Sequence, residues 1–344
     1  MDFIREVSVI LPVFNEEKHI SGVLESLNNQ DFEGFIEIVI VDGNSSDKTL
    51  EIVNEMSKKL KQNRIIKIYS NPKRYIPISL NIACLNASFD TIVRLDGHTY
   101  APSNYVSEAI KSLERIDFNG IVGGVWNIKP NNESDIAKAI SIAVSHPAGV
   151  GNALYRTYRE VNNELLEVDT VPFGAFTKQT WKALNGYDEF LLANEDYDFN
   201  FRAKKMGYKI VLNPSIVLEY LSRPSYGTLL KQYYRYGYWV SKFLIKHKVF
   251  PTVRKLAPIS FLFLLSLFCF VNFTVCTAIL SFYLFVIAAI SLHLGLIKRK
   301  SLKLSLLLFP IFPILHFSYG IGNLIGLIKS VKITTSFKFL DYRN

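Results

Sequence analysis

The sequence predicts an α/β fold, Rossmann-like with a mostly parallel sheet, followed by C-terminal transmembrane helices. Three observations carry that expectation. Short apolar, β-rich runs alternate with helical stretches over the front of the 344 residues, the pattern of βαβ units. The early runs end in polar, turn-forming clusters, as strands of open α/β sheets do at the edge where ligands bind. Residues 256–297 then hold no Lys, Arg, Asp or Glu over 42 positions, enough for two helices of roughly 20 residues each.

Taken in order, residues 7–14 read as the first strand. Asn15 reads as the N-cap of a helix whose Ile20, Val23, Leu24 and Leu27 recur at helical spacing. Residues 38–41 form a continuous apolar run ending at Asp42, as a buried parallel strand requires. Ser46 or Asp47 can cap a second helix to about residue 60, with Leu50, Ile52, Val53 and Met56 on its apolar face. Residues 65–69 and 91–95 read as further strands around a helix at 77–86. A helix over 103–115, a strand over 121–128, a loop becoming a helix over 188–205 and a strand over 209–212 complete the front part. Residues 131–158 carry no readable period. These elements give a domain over 1–228, an amphipathic aromatic and basic helix over 229–253, suited to a membrane interface, a membrane part over 254–330 and a basic tail over 331–344.

The membrane part holds three apolar segments, 256–272, 274–297 and 304–328, with Asn272 at the first turn. The third is interrupted by Pro310 and Pro313; it reads as a simple span, with a proline-broken re-entrant hairpin as the alternative. Ten of the 39 Lys and Arg and only one of the 30 acids lie from Arg254 onward, so the front part is neutral. Basic residues concentrated beside apolar segments suit an anionic membrane surface and exclude a nucleic-acid partner. Arg254-Lys255 and the cluster 298–303 flank the first hairpin and place both its ends on the cytoplasmic side. Residues 1–12 lack the apolar core of a signal peptide. A multi-pass protein of the cell membrane with a cytoplasmic front domain is therefore expected. Cys84, Cys269 and Cys276 show no metal spacing, and no structural disulfide is expected. His293 and His316 are the only groups in the apolar segments that titrate near neutral pH, which disfavours a transporter.

Asp96-Gly97-His98 closes the fourth strand. A carboxylate and an imidazole two residues apart suit one divalent cation, and glycine lets a diphosphate approach the backbone. Pro12-Val13-Phe14-Asn15-Glu16-Glu17 and Val41-Asp42-Gly43-Asn44-Ser45-Ser46-Asp47 end the first two strands on the same edge. Turn chemistry alone would account for either loop; their shared edge with Asp96 marks a binding site. Asn194-Glu195-Asp196 follows a loop and can aim a carboxylate base at an acceptor hydroxyl, which must come within roughly 3 Å. In Gln232-Tyr233-Tyr234-Arg235-Tyr236, Gln232 and Arg235 share a helix face. There an arginine can hold a diphosphate and a tyrosine can stack on a sugar.

Together these motifs resemble the family 2 glycosyltransferases of the GT-A fold, over roughly residues 7–247. Residues 12–17 look like the family's opening motif, and Asp42 sits where the family has a nucleobase-binding aspartate. Asp96-Gly97-His98 occupies the DxD position, Glu195-Asp196 the ED position, and residues 232–236 look like QxxRW with Tyr236 for tryptophan. Arg94-Leu95-Asp96-Gly97-His98, Val171-Pro172-Phe173-Gly174-Ala175-Phe176 and Tyr236-Gly237-Tyr238-Trp239 bring the chain nearest the exopolysaccharide, succinoglycan ExoA-like branch.

The resemblance implies an inverting hexosyltransferase that moves a sugar from a nucleoside diphosphate sugar, a UDP-sugar by default, to a membrane-associated, lipid-linked saccharide. It implies Asp196 as base with Glu195 as second choice, and Asp96 with His98 on Mn²⁺ or Mg²⁺. Pro12, Val13, Asn15, Glu16, Asp42, Asn44, Arg74, Asp96 and Gly97 would line the donor, with Lys73 an alternative to Arg74 at the phosphates. Gln232, Arg235 and Tyr236 would meet acceptor or diphosphate. His98 in place of a second aspartate leaves metal choice open. A polyprenyl-phosphate monosaccharide transferase and a non-catalytic nucleotide-sugar-binding scaffold are the alternatives.

Overall fold

The computed structural model describes residues 5–160, 164–249 and 253–337. The front of the chain builds parallel strands β1 (Glu6–Val13), β2 (Phe35–Asp42), β3 (Arg64–Ser70) and β4 (Thr91–Arg94). Val9, Ile10 and Leu11 in β1, and Ile38, Val39, Ile40 and Val41 in β2, have no exposed surface. A strand covered on both faces needs such an unbroken apolar run. Helices α1 (Ile20–Asn28), α2 (Thr49–Ser57) and α3 (Ile76–Asn86) make the crossovers. In α1 the buried residues are Ile20, Val23, Leu24 and Leu27, the face read from their spacing.

Past β4 the sheet continues with antiparallel pairings. The next elements are β5 (Thr99–Tyr100), α4 (Tyr105–Glu114), β6 (Gly120–Lys129), α5 (Asp135–Ala143), α6 (Pro147–Val150) and α7 (Leu154–Thr157). There follow β7 (Leu166–Glu167), β8 (Ala175–Thr177), α8 (Lys178–Ala183), α9 (Glu195–Lys205) and β9 (Lys209–Leu221). The sheet order is β3-β2-β1-β4-β8-β6-β9-β5, with β7 beside β9. The expected α/β class with a mostly parallel front half is the observed one. Strands β5, β7 and β8 are too short to show a period, and β9 outruns its expected end at 212. The buried Asn213 interrupts the apolar run there, its amide donating to Ser112 Oγ at 2.8 Å.

Two expected helix caps need correction. α1 begins at Ile20 after His19, while Asn15 takes a left-handed backbone (φ 55°) and uses Oδ1 to accept from the Ser46 N–H at 2.9 Å. α2 begins at Thr49, and Asp47, one residue outside its cap, accepts from the Thr49 N–H at 3.0 Å. Both residues bond across or within the loop edge, where bonding between loops displaces simple capping.

The chain divides into two compact units, each made of two stretches: Met1–Asn127 with Leu154–Leu221, and Ile128–Ala153 with Ser222–Asn344. The unreadable region 131–158 thus supplies α5 and α6 to the second unit. That unit is otherwise helical: α10 (Tyr226–His247), α11 (Val253–Val271), α12 (Phe273–Leu292), a π-helical turn (His293–Ile297), α13 (Leu302–Leu308) and α14 (Ile311–Phe337). Ser225 and Thr228 form a capping box that starts α10. The amphipathic stretch buries Leu229, Tyr233, Gly237, Val240, Ser241 and Phe243 and packs along α14. Residues 250–252 at its end and 338–344 of the basic tail lie outside the described residues.

Among the described residues two helices are long and apolar enough to cross a membrane, Phe273–Ile297 and Leu302–Ser330, while Lys255–Val271 is shorter. At 1.5 Å per residue that shorter helix rises about 26 Å, below the roughly 30 Å of a hydrocarbon core. Asn272 makes the expected turn, its side chain accepting from the Val275 N–H at 3.2 Å. The turn brings Cys269 and Cys276 together, Cα atoms 5.2 Å apart, and they form a disulfide. The expectation of none is corrected: spacing by seven residues hid a pair that the helical hairpin aligns.

Close backbone contact explains the α10–α14 pairing. A Cβ added at Gly237 would lie 2.0 Å from the Tyr319 carbonyl oxygen, and one at Gly322 2.1 Å from that of Tyr234. Small residues let two helices approach this closely. Gly237→Val should therefore separate them and cost about 1–3 kcal/mol or more, read as a lower thermal midpoint in detergent. Gly227→Ala, with nothing within 4 Å of the added carbon, should leave that midpoint unchanged.

Candidate active site

Register brings the predicted loops to one edge. Val13 pairs with Asp42 at the shared end of β1 and β2, and Ile10 pairs with Arg94 in β4, so Asp96 emerges beside the β1 loop. The loops are stitched together. Asn15 N–H donates to Ser45 Oγ at 2.9 Å, Glu16 N–H to Thr49 Oγ1 at 2.8 Å and Glu17 N–H to Asp47 Oδ2 at 3.1 Å. The buried Asp42 accepts from Ser45 Oγ at 2.6 Å and from the Ser45 N–H at 3.0 Å, so both its oxygens shape its own loop. Asn44 and Arg74 take left-handed backbones (φ 63° and 62°), and the Arg74 guanidinium lies 5.2 Å from the Phe14 ring centre. The Lys73 N–H donates to Asn71 Oδ1 at 3.1 Å.

His98 and Glu16 meet across this edge, Nδ1 to Oε1 at 2.8 Å. Gly97 sits beneath them: a Cβ there would lie 3.0 Å from Glu16 Cγ and 3.2 Å from Val13 Cγ1. A side chain at 97 would press on Glu16, which would have to give by a few tenths of an ångström. Pro12 is half-buried and Val13 buried, so they support the edge more than they present polar groups to it.

Arg94 stood in the Arg94–His98 stretch that carried the resemblance but was given no role there. It is the largest fully buried side chain, 1% exposed. Its guanidinium reaches three carboxylates: Nη2 lies 3.1 Å from both Asp96 Oδ1 and Glu195 Oε1, and Nη1 is paired with Asp196. The opening of α9 is thereby tied to the end of β4. The left-handed Asn194 (φ 62°) turns the chain into that helix. Buried among three negative groups, Arg94 is held protonated, its ordinary pKa raised further by Asp196, Asp96 and Glu195 against the cost of burial.

One guanidinium does not neutralise three carboxylates. Burial pushes the Asp196 carboxyl up to about 8, against the pull of Arg94, with the charges of Glu195 and Asp96 adding to the rise. The Asp196 side chain keeps 23% of its surface and that of Glu195 only 10%. Asp196 is the more open of the two carboxylates.

Phe173 completes the arrangement. Its backbone is left-handed (φ 50°), an uncommon state for a non-glycine residue. In this state its N–H donates to the Asp196 carboxylate, and its carbonyl accepts from the buried Tyr105 hydroxyl at 3.1 Å. The same hydroxyl donates to the Arg94 carbonyl at 2.5 Å. The Phe173 ring lies 5.6 Å from the Arg94 guanidinium and 5.5 Å from Trp126, which stacks on Tyr220 at 4.1 Å. An arginine within a buried parallel strand was one signal available in the sequence, and Phe173 stood in the Val171–Phe176 stretch that carried the resemblance without being given a role; nothing local marked Tyr105.

Asp42, Asp96, His98, Glu195 and Asp196 all belong to the first unit. Gln232, Arg235 and Tyr236 lie on α10 of the second. There the Gln232 amide donates to Tyr236 Oη at 3.0 Å, and the rings of Tyr233 and Tyr236 meet edge to face. Among the described residues no three His, Cys, Asp or Glu side chains form a ready-made metal cage.

Replacing Arg94 should show what it holds. Arg94→Met strands Asp96, Glu195 and Asp196 without their counter-charge and should cost about 3–5 kcal/mol of stability, measured by denaturant unfolding. Arg94→Lys, a point charge lacking the planar fork, should recover only part of it.

The chain was compared with known proteins. The sequence pattern of glycosyl transferase family 2 matches residues 8–176. A transferase of Methanococcus voltae, dolichyl N-acetyl-alpha-D-glucosaminyl phosphate 3-beta-D-2,3-diacetamido-2,3-dideoxy-beta-D-glucuronosyltransferase, is 31% identical over 332 residues, 94% of this chain and 97% of the relative. The succinoglycan biosynthesis protein ExoA of Rhizobium meliloti is 26% identical over 260 residues, 73% of this chain and 74% of that one. In structure, the mannosyltransferase PcManGT of Pyrobaculum calidifontis, solved with GDP-Man and Mn²⁺, matches with a TM-score of 0.58 at 17% identity, covering 94% of this chain and 86% of that one. That likeness is one of fold, GT-A. The chain belongs to glycosyl transferase family 2 and is a glycosyltransferase.

Proposed function

We propose that the protein transfers a sugar from a nucleoside diphosphate sugar to a hydroxyl of a lipid-linked saccharide at a membrane, with inversion, in the synthesis of a cell-surface glycan. The observation that carries this reading is the Asp196 carboxylate, partly exposed and raised to about 8. Asp196 is bound through Arg94 to Asp96, which lies on the opposite side of the guanidinium. A general base works best with a pKa near the working pH. The relative from Methanococcus voltae is named for a dolichyl-phosphate-linked sugar acceptor, which supports a hydroxyl acceptor already on a lipid carrier. Transfer straight to a polyprenyl phosphate would need no base, because that acceptor is already an anion.

The chain's residues divide the work. Asp42 and the stitched loops at 12–16 and 44–49 hold the nucleoside, with Arg74 or Lys73 toward the phosphates; a UDP-sugar is the donor to try first. Asp196 takes the proton of the acceptor hydroxyl as its oxygen attacks the anomeric carbon, and the diphosphate leaves. Arg94 and the Phe173 N–H keep Asp196 aimed. Gln232, Arg235 and Tyr236 serve acceptor or diphosphate. The excess of carboxylates over guanidinium at this edge suits a divalent cation, and Asp96 with His98 would hold Mn²⁺ or Mg²⁺, the diphosphate completing its shell. When bound, the cation would stabilise the charge growing on the leaving diphosphate. The helices of the second unit anchor the enzyme in the cell membrane, with the first unit facing the cytoplasm.

Asp196→Asn should lower transfer by about 10²–10⁴ while leaving nucleotide binding, followed by calorimetry, unchanged. Retained transfer would move the base elsewhere. Because the base acts unprotonated, kcat/KM should rise with pH and level off above about 8. The kcat profile should turn at lower pH, since a bound cation favours the carboxylate. His98→Ala should weaken Mn²⁺-dependent activity and His98→Asp should shift the preference between Mn²⁺ and Mg²⁺; an alanine variant with unchanged metal dependence removes His98 from the ligand set.

A further inference from the structure

Three features of the second unit limit how far its apolar helices can enter a membrane. The first is the pairing of α10 with α14. Tyr226 Oη donates to the Leu307 carbonyl at 3.0 Å and Ser241 Oγ to the Asn323 carbonyl at 2.8 Å, so α10 accompanies the apolar helix Leu302–Ser330 in the same direction. On α10, Lys231 and Arg235 are exposed one turn apart. If Leu302–Ser330 crossed a bilayer, α10 would carry both charges into hydrocarbon, where a charged side chain is costly. Tyr234, Tyr238 and Trp239 on the same helix suit the headgroup level instead.

The second feature lies halfway along α12. His316 Nε2 donates to the Ala148 carbonyl at 2.7 Å, and its Nδ1 accepts from the Tyr283 hydroxyl at 2.9 Å. Phe261 of α11 and Phe317 of α14 pack on the Tyr283 ring, with centroids 4.8 and 5.9 Å away. Tyr283 stands near the middle of Phe273–Ile297, the level that would reach the bilayer centre if this helix crossed. Ala148 belongs to α6, which follows the charged start of α5: Lys138 pairs with Glu133 at 3.0 Å, and Lys303 with Asp135. A crossing α12 would draw that polar segment in beside it.

The third is a contrast along the hairpin. From Ile287 onward α12 buries one face, with Ser291, Leu294 and Gly295. Toward the turn the cover is lost: among residues 263–282 only Cys276 is buried, and the tip residues Phe270 and Phe273 are 92% and 70% exposed. The same stretch holds no charged residue. Its turn is bonded within the chain, as backbone in lipid must be. The Asn272 N–H donates to the Phe268 carbonyl at 2.9 Å, its carbonyl accepts from the Cys276 N–H at 3.1 Å, and its Oδ1 accepts from the Val275 N–H at 3.2 Å. The nine residues before Asn272 and the ten after it rise roughly 15 Å, half of a hydrocarbon core of about 30 Å.

We propose that the chain enters the bilayer from one side only: residues 263–282 insert into the facing leaflet, α10 and α14 lie along its surface, and no helix crosses. This rests on the reading that the second unit anchors the enzyme in a membrane, and names how it does so. The basic tail then returns to the side of the first unit.

The test uses the full chain in cells, with a membrane-impermeant maleimide applied before and after the membrane is opened. Single cysteines are placed in a background of Cys84→Ala, Cys269→Ala and Cys276→Ala. Lys61→Cys, at an exposed position of the first unit, marks the side on which that unit lies. Lys231→Cys and a cysteine added after Asn344 should react only when Lys61→Cys does. Thr274→Cys at the tip should react roughly tenfold or more slowly from either side, because hydrocarbon keeps the thiol from ionising, and should recover in denaturing detergent. Labelling of Thr274→Cys from the far side would overturn the proposal in favour of a crossing hairpin. Labelling of the added cysteine from that side would overturn it in favour of a crossing α14. An epitope tag after Asn344 on the otherwise unaltered chain repeats the second reading without the cysteine replacements. Sedimentation separates the two levels of the argument: an unaltered chain left in the soluble fraction would remove the anchor itself, whereas a far-side label leaves the anchor and removes only the one-sided entry.

Discussion

Arg94 has to stay charged in a place where water cannot reach it, and the polar edge of the sheet is arranged to make that tolerable. The guanidinium sits at the end of β4, 1% exposed, with a carboxylate from its own strand end and two from the start of α9. A buried cation without such partners would cost several kcal/mol. The three carboxylates are equally dependent on it, since none of the described neighbours offers them another strong cation. The elements that carry the chemistry are therefore fixed to one another by charge more than by apolar contact. Phe173 and Tyr105 hold the same assembly by its backbone, through a left-handed turn and a hydroxyl that bridges two carbonyls.

This arrangement shows why the site could be read only in part from sequence. Asp42 and Asp96 were visible because each ends a predicted strand in polar, turn-forming residues, and strand ends on one edge of a parallel sheet converge by topology; Asp196 was visible as one of two adjacent acids opening a helix after a loop. The parallel half of the fold was legible for the same reason: burial on both faces forces unbroken apolar runs. The antiparallel half was not, because β5 and β7 hold two residues each and β8 three. Arg94 stood in plain view within an apolar run, but its role depends on α9, about a hundred residues later. Asn15 and Asp47 look like helix caps because the same side-chain oxygens that cap a helix can also bind an opposite loop. Only the fold decides between the two uses.

The helical unit is held by different physics. Glycine at 237, 322 and 326 brings backbone against backbone along α10 and α14, a contact that depends on shape and survives in an apolar medium where the hydrophobic effect gives little. Sequence gave the apolar segments and the turn at Asn272, both properties of composition. The disulfide that turn aligns had no such signal, whereas Pro310 marked the break that divides α13 from α14.

The segment of residues 128–153 has a consequence for how the molecule comes into being. α5 and α6 lie between strands of the first unit in the chain, yet they pack with α13 and α14 in the second. Their apolar residues Ala137, Ala139, Ile140 and Ala143 are covered there. A ribosome emits this segment more than 150 residues before the helices that shield it, so the nascent chain must hold an unsatisfied surface open while the sheet forms around it. For the same reason, cutting the gene after residue 221 leaves α5 and α6 without the helices they pack against. It removes the partner of a stretch that the enzyme retains in its middle.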